Sequence, residues 1–435
     1  MPEVQRASSS SDTRNWVLFA FIALLLGLEI LVVPLAGLYL SWTYRSVPYR
    51  SSLLLPIAAL VLALAAATVI GVVRDGAYDR ALSSVYSIGI LVGGTLLAIG
   101  IIKHLYRQAQ NRRDPRDFRE VFLGQIGMLS HRLLLFCLLL FGVGVLAFAV
   151  TGSEVLSFPT LLSGFADSDT EMLRYLASTR IYRPDWGFGS FAAPRFIYFA
   201  RWDTAGAIIV SLTGNLAAAH FWAKGRKRDF VLTEAITILL IVSTLSRTVI
   251  GIHIGVSVLT YLWISRNRMV LGSLLLVLAS ILAGLLPLLA DFASSFRQYS
   301  TSDRFELYGA ALSQFIAGDP LLGLGYKPKD DPSLQYAVGS HSMPLSFLTR
   351  GGLIALIFAT LAFWILPIAR GVRSVLSHDP FKRKTAPFWV RGIVVVGAWS
   401  LFQEIDTSIL TYTAIIIFLL SVDLLSRRTI AIHPR

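Results

Sequence analysis

The sequence predicts an all-α, polytopic transmembrane helical bundle of about 11–12 spans, with two long outer loops carrying short interfacial helices. Three observations carry that expectation. Hydrophobic residues make up 55% of the 435 residues and charged residues only 15%, with a mean hydropathy of +0.65; soluble domains carry roughly 25% charged residues. Uncharged windows of about 20 residues recur, long enough to cross a hydrocarbon core of about 30 Å as helices. The basic residues gather in the short segments between those windows.

Apolar runs fall near 16–41, 52–73, 83–102, 132–151, 205–222, 230–245, 249–265, 269–290, 353–369, 392–403 and 408–425. They do not alternate as barrel strands do, and lipid cannot satisfy an open backbone, so each reads as a helix. No internal repeat is evident, and residues 1–435 read as a single integral-membrane domain.

Orientation follows from the Lys/Arg bias of cytoplasmic loops. Segment 103–119 holds Lys103, Arg107, Arg112, Arg113, Arg116 and Arg119. The turn after His220 holds Lys224, Arg226, Lys227 and Arg228; Arg266 and Arg268 close another turn; segment 370–391 adds Arg370, Arg373, Lys382, Arg383, Lys384 and Arg391. All are assigned inside. This leaves two long segments outside, a first outer loop at 152–204 and a second at 291–352, where charges of both signs are mixed. Counting back from 103–119 puts the N-terminus outside, which a tail without a cleaved signal does not usually do. Either one span is uncounted, or the run at 16–41 does not cross once. That run exceeds the 7–15 residues of a signal h-region and is read as retained.

The net charge of +13 follows from the inner loops and calls for no nucleic acid. The lone Cys137 rules out an intramolecular disulfide and a cysteine metal site. No acidic cluster resembles a metal site; Asp330-Asp331 beside Pro332 reads as a turn. No cofactor is expected.

Candidate chemistry lies in the outer segments. In the second loop, Phe305, Tyr308, Ala311, Leu312, Phe315 and Ile316 recur at helical spacing, predicting a short interfacial helix that Gly318 and Pro320 end. Its bland reading is packing alone. His341-Ser342 precedes Pro344 and the ninth run, with Gly352 ten positions beyond Ser342. Pro344 suits a first helical turn. His341 therefore sits at the membrane–water boundary, either as a general base whose protonation is easily tuned or as a cap and hydrogen-bond donor.

Ser246-Arg247 forms a short outer turn between two runs, and an arginine at membrane depth is functional or paired. Arg195 or Arg201 of the first loop, Arg247 and Arg304 thus offer guanidinium forks from three outer elements. Such forks match phosphate oxygens and are able to converge on a diphosphate at the bilayer surface. Alternatively each pairs with a carboxylate such as Asp203 or Asp303.

Taken in order, Ser246-Arg247 after a span, Pro320-Leu321-Leu322-Gly323-Leu324-Gly325, and His341-Ser342 with Gly352 resemble the O-antigen ligase and polymerase superfamily of bacterial envelope glycosyltransferases. The ligase motif is His, then Asn, Ser or Gln, nine residues, Gly, two residues, then Gly, Thr or Tyr; here the last position is Ala355, a departure. Arg195 and Gly206, with ten residues between them, are similar to a pattern of the polymerases. The resemblance covers roughly residues 190–360.

The resemblance implies a metal-independent, inverting transfer of a glycan from undecaprenyl diphosphate to an acceptor hydroxyl. It implies an active site on the periplasmic face of the bacterial cytoplasmic (inner) membrane. In it, His341 is the catalytic base, Arg195, Arg201, Arg247 and Arg304 bind the diphosphate, and Ser246, Ser342 and Gly352 support them. The acceptor is another lipid-linked glycan for a polymerase, slightly favoured by the Arg195–Gly206 spacing and Ala355, or the lipid A core for a ligase. A transporter or flippase of lipid-linked sugars is the competing class. It would show repeat symmetry and mid-membrane polar residues rather than polar outer loops.

Overall fold

The computed structural model describes residues 28–47, 49–76, 78–111, 118–152, 155–165, 167, 177–185, 193–198, 203–265, 298–328, 338, 341–405 and 408–426. Its helices are α1 (Glu29–Thr43), α2 (Leu54–Asp75), α3 (Tyr78–Asn111), α4 (Phe118–Thr151), α5 (Asp203–Ala223), α6 (Lys227–Ser243), α7 (Arg247–Ser265), α8 (Gln298–Ala317), α9 (Met343–Thr360), α10 (Leu366–Val375), α11 (Pro380–Phe402) and α12 (Ile409–Leu425). A π-helical turn at Leu361–Ile365 joins α9 to α10 without a gap.

Among the described residues, seven helices are long and apolar enough to cross a membrane, and α1 and α12 are shorter apolar helices. The protein is a multi-pass, nearly all-α bundle. Each predicted apolar run coincides with a helix except 269–290, which lies outside the described residues, as do residues 16–27 of the first run. The end carrying the basic turns at 224–228 and 370–384 is called the inner end, following the charge bias.

Helix α5 is the hub. Its apolar stretch is 89% buried, and it packs against α4, α6, α7, α11 and α12. Helix α1 lies along α3, with Pro34 against Gly93 and Leu40 against Gly100. The two numbers rise together, so the helices run parallel and Glu29 is at the outer end. Lipid offers little hydrophobic drive between helices, and small residues let the backbones approach.

The first outer loop contributes something the sequence reading lacked. Three short strands, β1 (Leu156–Pro159), β2 (Ser178–Asp185) and β3 (Ala193–Phe196), form an antiparallel sheet in the order β1-β2-β3. Tyr182 pairs with Phe196, and Arg183 with Arg195. Alternation sends Tyr182 and Phe196 onto the outer part of α4, where Phe141 meets Phe196 at 4.9 Å and Phe148 meets Tyr182 at 6.1 Å. These strands are too short, and too mixed in charge, to stand out beside the apolar runs.

Candidate active site

The second outer loop opens with α8. Leu307 and Ala311 are buried, whereas Leu312 and Ile316 are 47% and 75% exposed. The apolar side chains thus divide between the protein and an uncovered side, the pattern of a helix lying at a lipid interface. The loop after it is shaped by Asp319, whose carboxylate accepts from the Leu321 and Leu322 amides at 2.9 and 3.2 Å.

The following segment, 320–325, is a strap that inserts into a break in α9. Gly352 adopts φ +60°, ψ −159° inside that helix. The break frees the amides of Leu353 and Ile354 and the carbonyls of Thr349 and Arg350. The strap meets all four. Leu353 and Ile354 donate to the carbonyls of Pro320 and Leu321 at 2.9 and 3.3 Å. Leu324 and Gly325 donate to the carbonyls of Thr349 and Arg350 at 2.8 and 2.9 Å. An interrupted helix is tolerated within a bilayer only when its backbone groups are satisfied by protein in this way. A Cβ at Gly352 would stand 2.2 Å from the Leu321 carbonyl oxygen, so glycine is required there. The Gly325 carbonyl in turn accepts from Thr68 of α2 at 3.1 Å and Ser84 of α3 at 2.8 Å.

Two residues before Gly352 lies Arg350, only 2% exposed. Its guanidinium donates to the carbonyl and hydroxyl of Ser346 at 3.3 and 3.1 Å and lies over Phe347. It carries no distinguishing mark in the sequence: it falls three residues before the run at 353–369, at the end of the segment read as the second outer loop.

Above the break, Ser342 is the extended residue that caps α9, and Pro344 occupies the first turn, as expected. Immediately before it, His341 has φ +65°. A residue with a Cβ resists that left-handed region by about 1–2 kcal/mol. Both polar groups of its peptide unit are engaged. Its amide donates to Glu404 Oε1 at 3.1 Å, and its carbonyl accepts from the Tyr308 hydroxyl at 3.0 Å. Glu404 is 7% exposed, and its other carboxylate oxygen pairs with Lys327. Glu404 directly follows the run 392–403; a carboxylate at the edge of a span is the signal that would have found it. Lys327 carries no such signal.

The third outer element is the turn between α6 and α7. Leu245 takes φ +52°, Ser246 is buried, and Arg247 opens α7 with an exposed side chain. Arg195 braces this turn. Its Nε donates to the Thr244 carbonyl at 2.9 Å and its Nη2 to the Leu245 carbonyl at 3.2 Å. The Tyr198 hydroxyl hydrogen-bonds Ser243 at the same place, and burial pushes that phenol above its ordinary range, so it stays protonated. The Ser246 hydroxyl has no hydrogen-bond partner among the described residues. A buried hydroxyl at a helix N-terminus, followed by an exposed arginine, is a fitting anion cradle.

Helices α7 and α11 bring this turn to the same end of the bundle as Glu404. Ser257, ten residues into α7, accepts from Arg391, eleven residues before the end of α11, at 3.2 Å. The helices run antiparallel, so the start of α7 and the end of α11 both lie on the outer side of that contact. Of the remaining candidates, the Arg304 backbone lies in α8, and Arg201 lies outside the described residues. Among the described residues, no group of three His, Cys, Asp or Glu side chains is arranged to hold a metal ion.

Residues 232–360 match a protein-family model described as O-antigen ligase. Over that stretch, under a third of the chain, the protein is similar to the O-antigen ligase family. The match runs from within α6, through the Ser246-Arg247 turn, α7, α8 and the strap, to the last residue of α9. It therefore contains Arg247, Arg304, His341, Ser342 and Gly352, and it bears out the resemblance to the O-antigen ligase and polymerase superfamily. Arg195, Arg201 and Glu404 lie outside the matched stretch. A search of curated proteins returns no match.

Proposed function

We propose that the protein transfers a glycan from undecaprenyl diphosphate to an acceptor sugar hydroxyl at the outer face of the bacterial inner membrane. The observation that carries this reading is His341, held in a left-handed backbone at the mouth of a broken helix, within the O-antigen ligase stretch. Residues kept in sparsely populated conformations collect at functional sites, where the surrounding structure has to hold them.

In this reading His341 takes the acceptor proton as the hydroxyl attacks the anomeric carbon, and a single displacement inverts that carbon. The leaving lipid diphosphate is already a stable anion. It requires fixed positive charge and hydrogen-bond donors rather than a proton. Arg247 and the amide end of α7 supply them. Arg195 acts at one remove, bracing the turn that presents Arg247, while Arg201 and Arg304 remain proposed diphosphate contacts. The apolar outer surfaces of α8 and the bundle keep the prenyl chain in the bilayer.

The acceptor is proposed to be a second lipid-linked glycan, making the enzyme a surface-polysaccharide polymerase. The test is purified protein in proteoliposomes with an undecaprenyl-diphosphate-linked oligosaccharide and no nucleotide. Longer lipid-linked glycans are expected, lost in His341→Ala while donor binding persists. Product that forms only when lipid A core is added would make it a ligase. Movement of unaltered lipid across the bilayer, with no transfer, would replace the enzyme by a flippase.

A further inference from the structure

We propose that Tyr308 and Glu404 are positioning residues that clamp the His341 peptide, setting the imidazole's aim in the transfer reaction. The inference rests on the reading of His341 as the base. Its physical root is the backbone angle of +65°, from which an L-residue relaxes toward negative φ unless held. Such a rotation about N–Cα would swing the side chain away while leaving the rest of α9 in place.

Both hydrogen-bonding groups of the residue are tied, and by different parts of the chain. Tyr308 reaches the carbonyl from the interfacial helix α8, 33 residues earlier. Glu404 reaches the amide from the segment after α11, 63 residues later. Glu404 is itself fixed by Lys327, two residues past the strap. The strap is bonded to the broken part of α9. The clamp therefore closes on itself. The segment that satisfies the helix break also anchors the carboxylate that holds the histidine.

A hydrogen bond from a neutral phenol and one to a carboxylate need not touch substrate to matter. A misplacement of about 1 Å by a remote group is enough to cost roughly a hundredfold in rate. The expected signature is a fall in kcat without a matching change in KM, since donor binding lies with the arginines.

Proteoliposome kinetics with the lipid-linked oligosaccharide test this. Tyr308→Phe keeps the ring and its packing and removes only the donated proton. It should lower kcat roughly ten- to a hundredfold while KM for the donor stays within about twofold. Glu404→Ala should do the same, and Glu404→Gln, whose amide oxygen still accepts from the His341 amide, should recover part of the loss. Unchanged kcat in Tyr308→Phe and Glu404→Ala, or a raised KM with intact kcat, overturns the clamp. If the wild-type protein transfers nothing, or His341→Ala turns over like wild type, the base assignment fails first. If His341→Ala is dead but both clamp variants are fully active, the clamp alone fails.

Discussion

Arg391, which its sequence position assigns to an inner basic segment, instead lies in the interior of the bundle and forms a bidentate ion pair with Glu234, with Nη1 2.9 Å from Oε2 and Nη2 2.7 Å from Oε1. Neither is more than 3% exposed, and Asn215 and Ser257 also accept from the guanidinium. The pair ties α6 to α11, and the added partners bring in α5 and α7. Breaking a buried pair strands one charge, at a cost of about 3–5 kcal/mol, whereas replacing both partners by apolar residues is often neutral. Arg391→Met should therefore lower the thermal midpoint in detergent sharply, and Glu234→Met with Arg391→Met should restore most of it. A double variant no better than the single would mean that the charges themselves are required.

Gly352→Ala should destabilise the folded protein by at least about 2 kcal/mol, from the left-handed backbone and the collision with the Leu321 carbonyl. Gly142→Ala in α4, where a Cβ meets nothing within 4 Å, is the matched control and should be neutral or slightly stabilising. The yield of monodisperse protein in size-exclusion chromatography reads both.

Arg195 and Arg247 should respond differently to lysine. Arg247→Lys keeps the positive charge and should retain part of the transfer activity that Arg247→Ala loses. Arg195 grips two carbonyls with two nitrogens of one planar group, which an ammonium does not reproduce. Arg195→Lys should be nearly as impaired as Arg195→Ala. Equal rescue by lysine at both positions would contradict the bracing role.

Asp379 gives the acid response at the inner end of α11. Burial opposes its ionisation, but the Arg119 guanidinium at 2.7 Å and the Phe381 and Lys382 amides outweigh that and hold its pKa below the usual carboxylate range. A folded-state pKa below the unfolded one gives stability that is complete above the unfolded value and disappears as pH falls through the folded one. The stability advantage of wild type over Asp379→Asn should be constant near neutral pH and shrink below about pH 4. Thermal midpoints of the two proteins across that range measure it.

The bundle was legible because lipid imposes one rule on every span: about 20 apolar residues with backbone groups satisfied within the helix. The outer segments obey weaker rules, and there the reading thinned. His341, Ser342 and Gly352 were found by their spacing, yet spacing does not reveal that Gly352 breaks a helix or that residues 320–325 fill the gap. Tyr308 was placed on a helical face as a packing residue; its hydrogen bond to His341 depends on a fold that brings together positions 33 apart. An arginine in a polar loop, such as Arg195, carries no mark in the sequence of the carbonyls it meets. The small sheet was invisible for the same reason: its pairing is long-range, and its strands are four to eight residues long.

The strap has a consequence for protein engineering. A surface loop is ordinarily an exchangeable part, but residues 320–325 supply the backbone partners of a membrane helix. Excising or grafting the second outer loop would leave two amides and two carbonyls of α9 without their backbone partners. A functional chimera must therefore bring its own strap, with carbonyls placed for Leu353 and Ile354, or take α8, the strap and α9 together as one cassette.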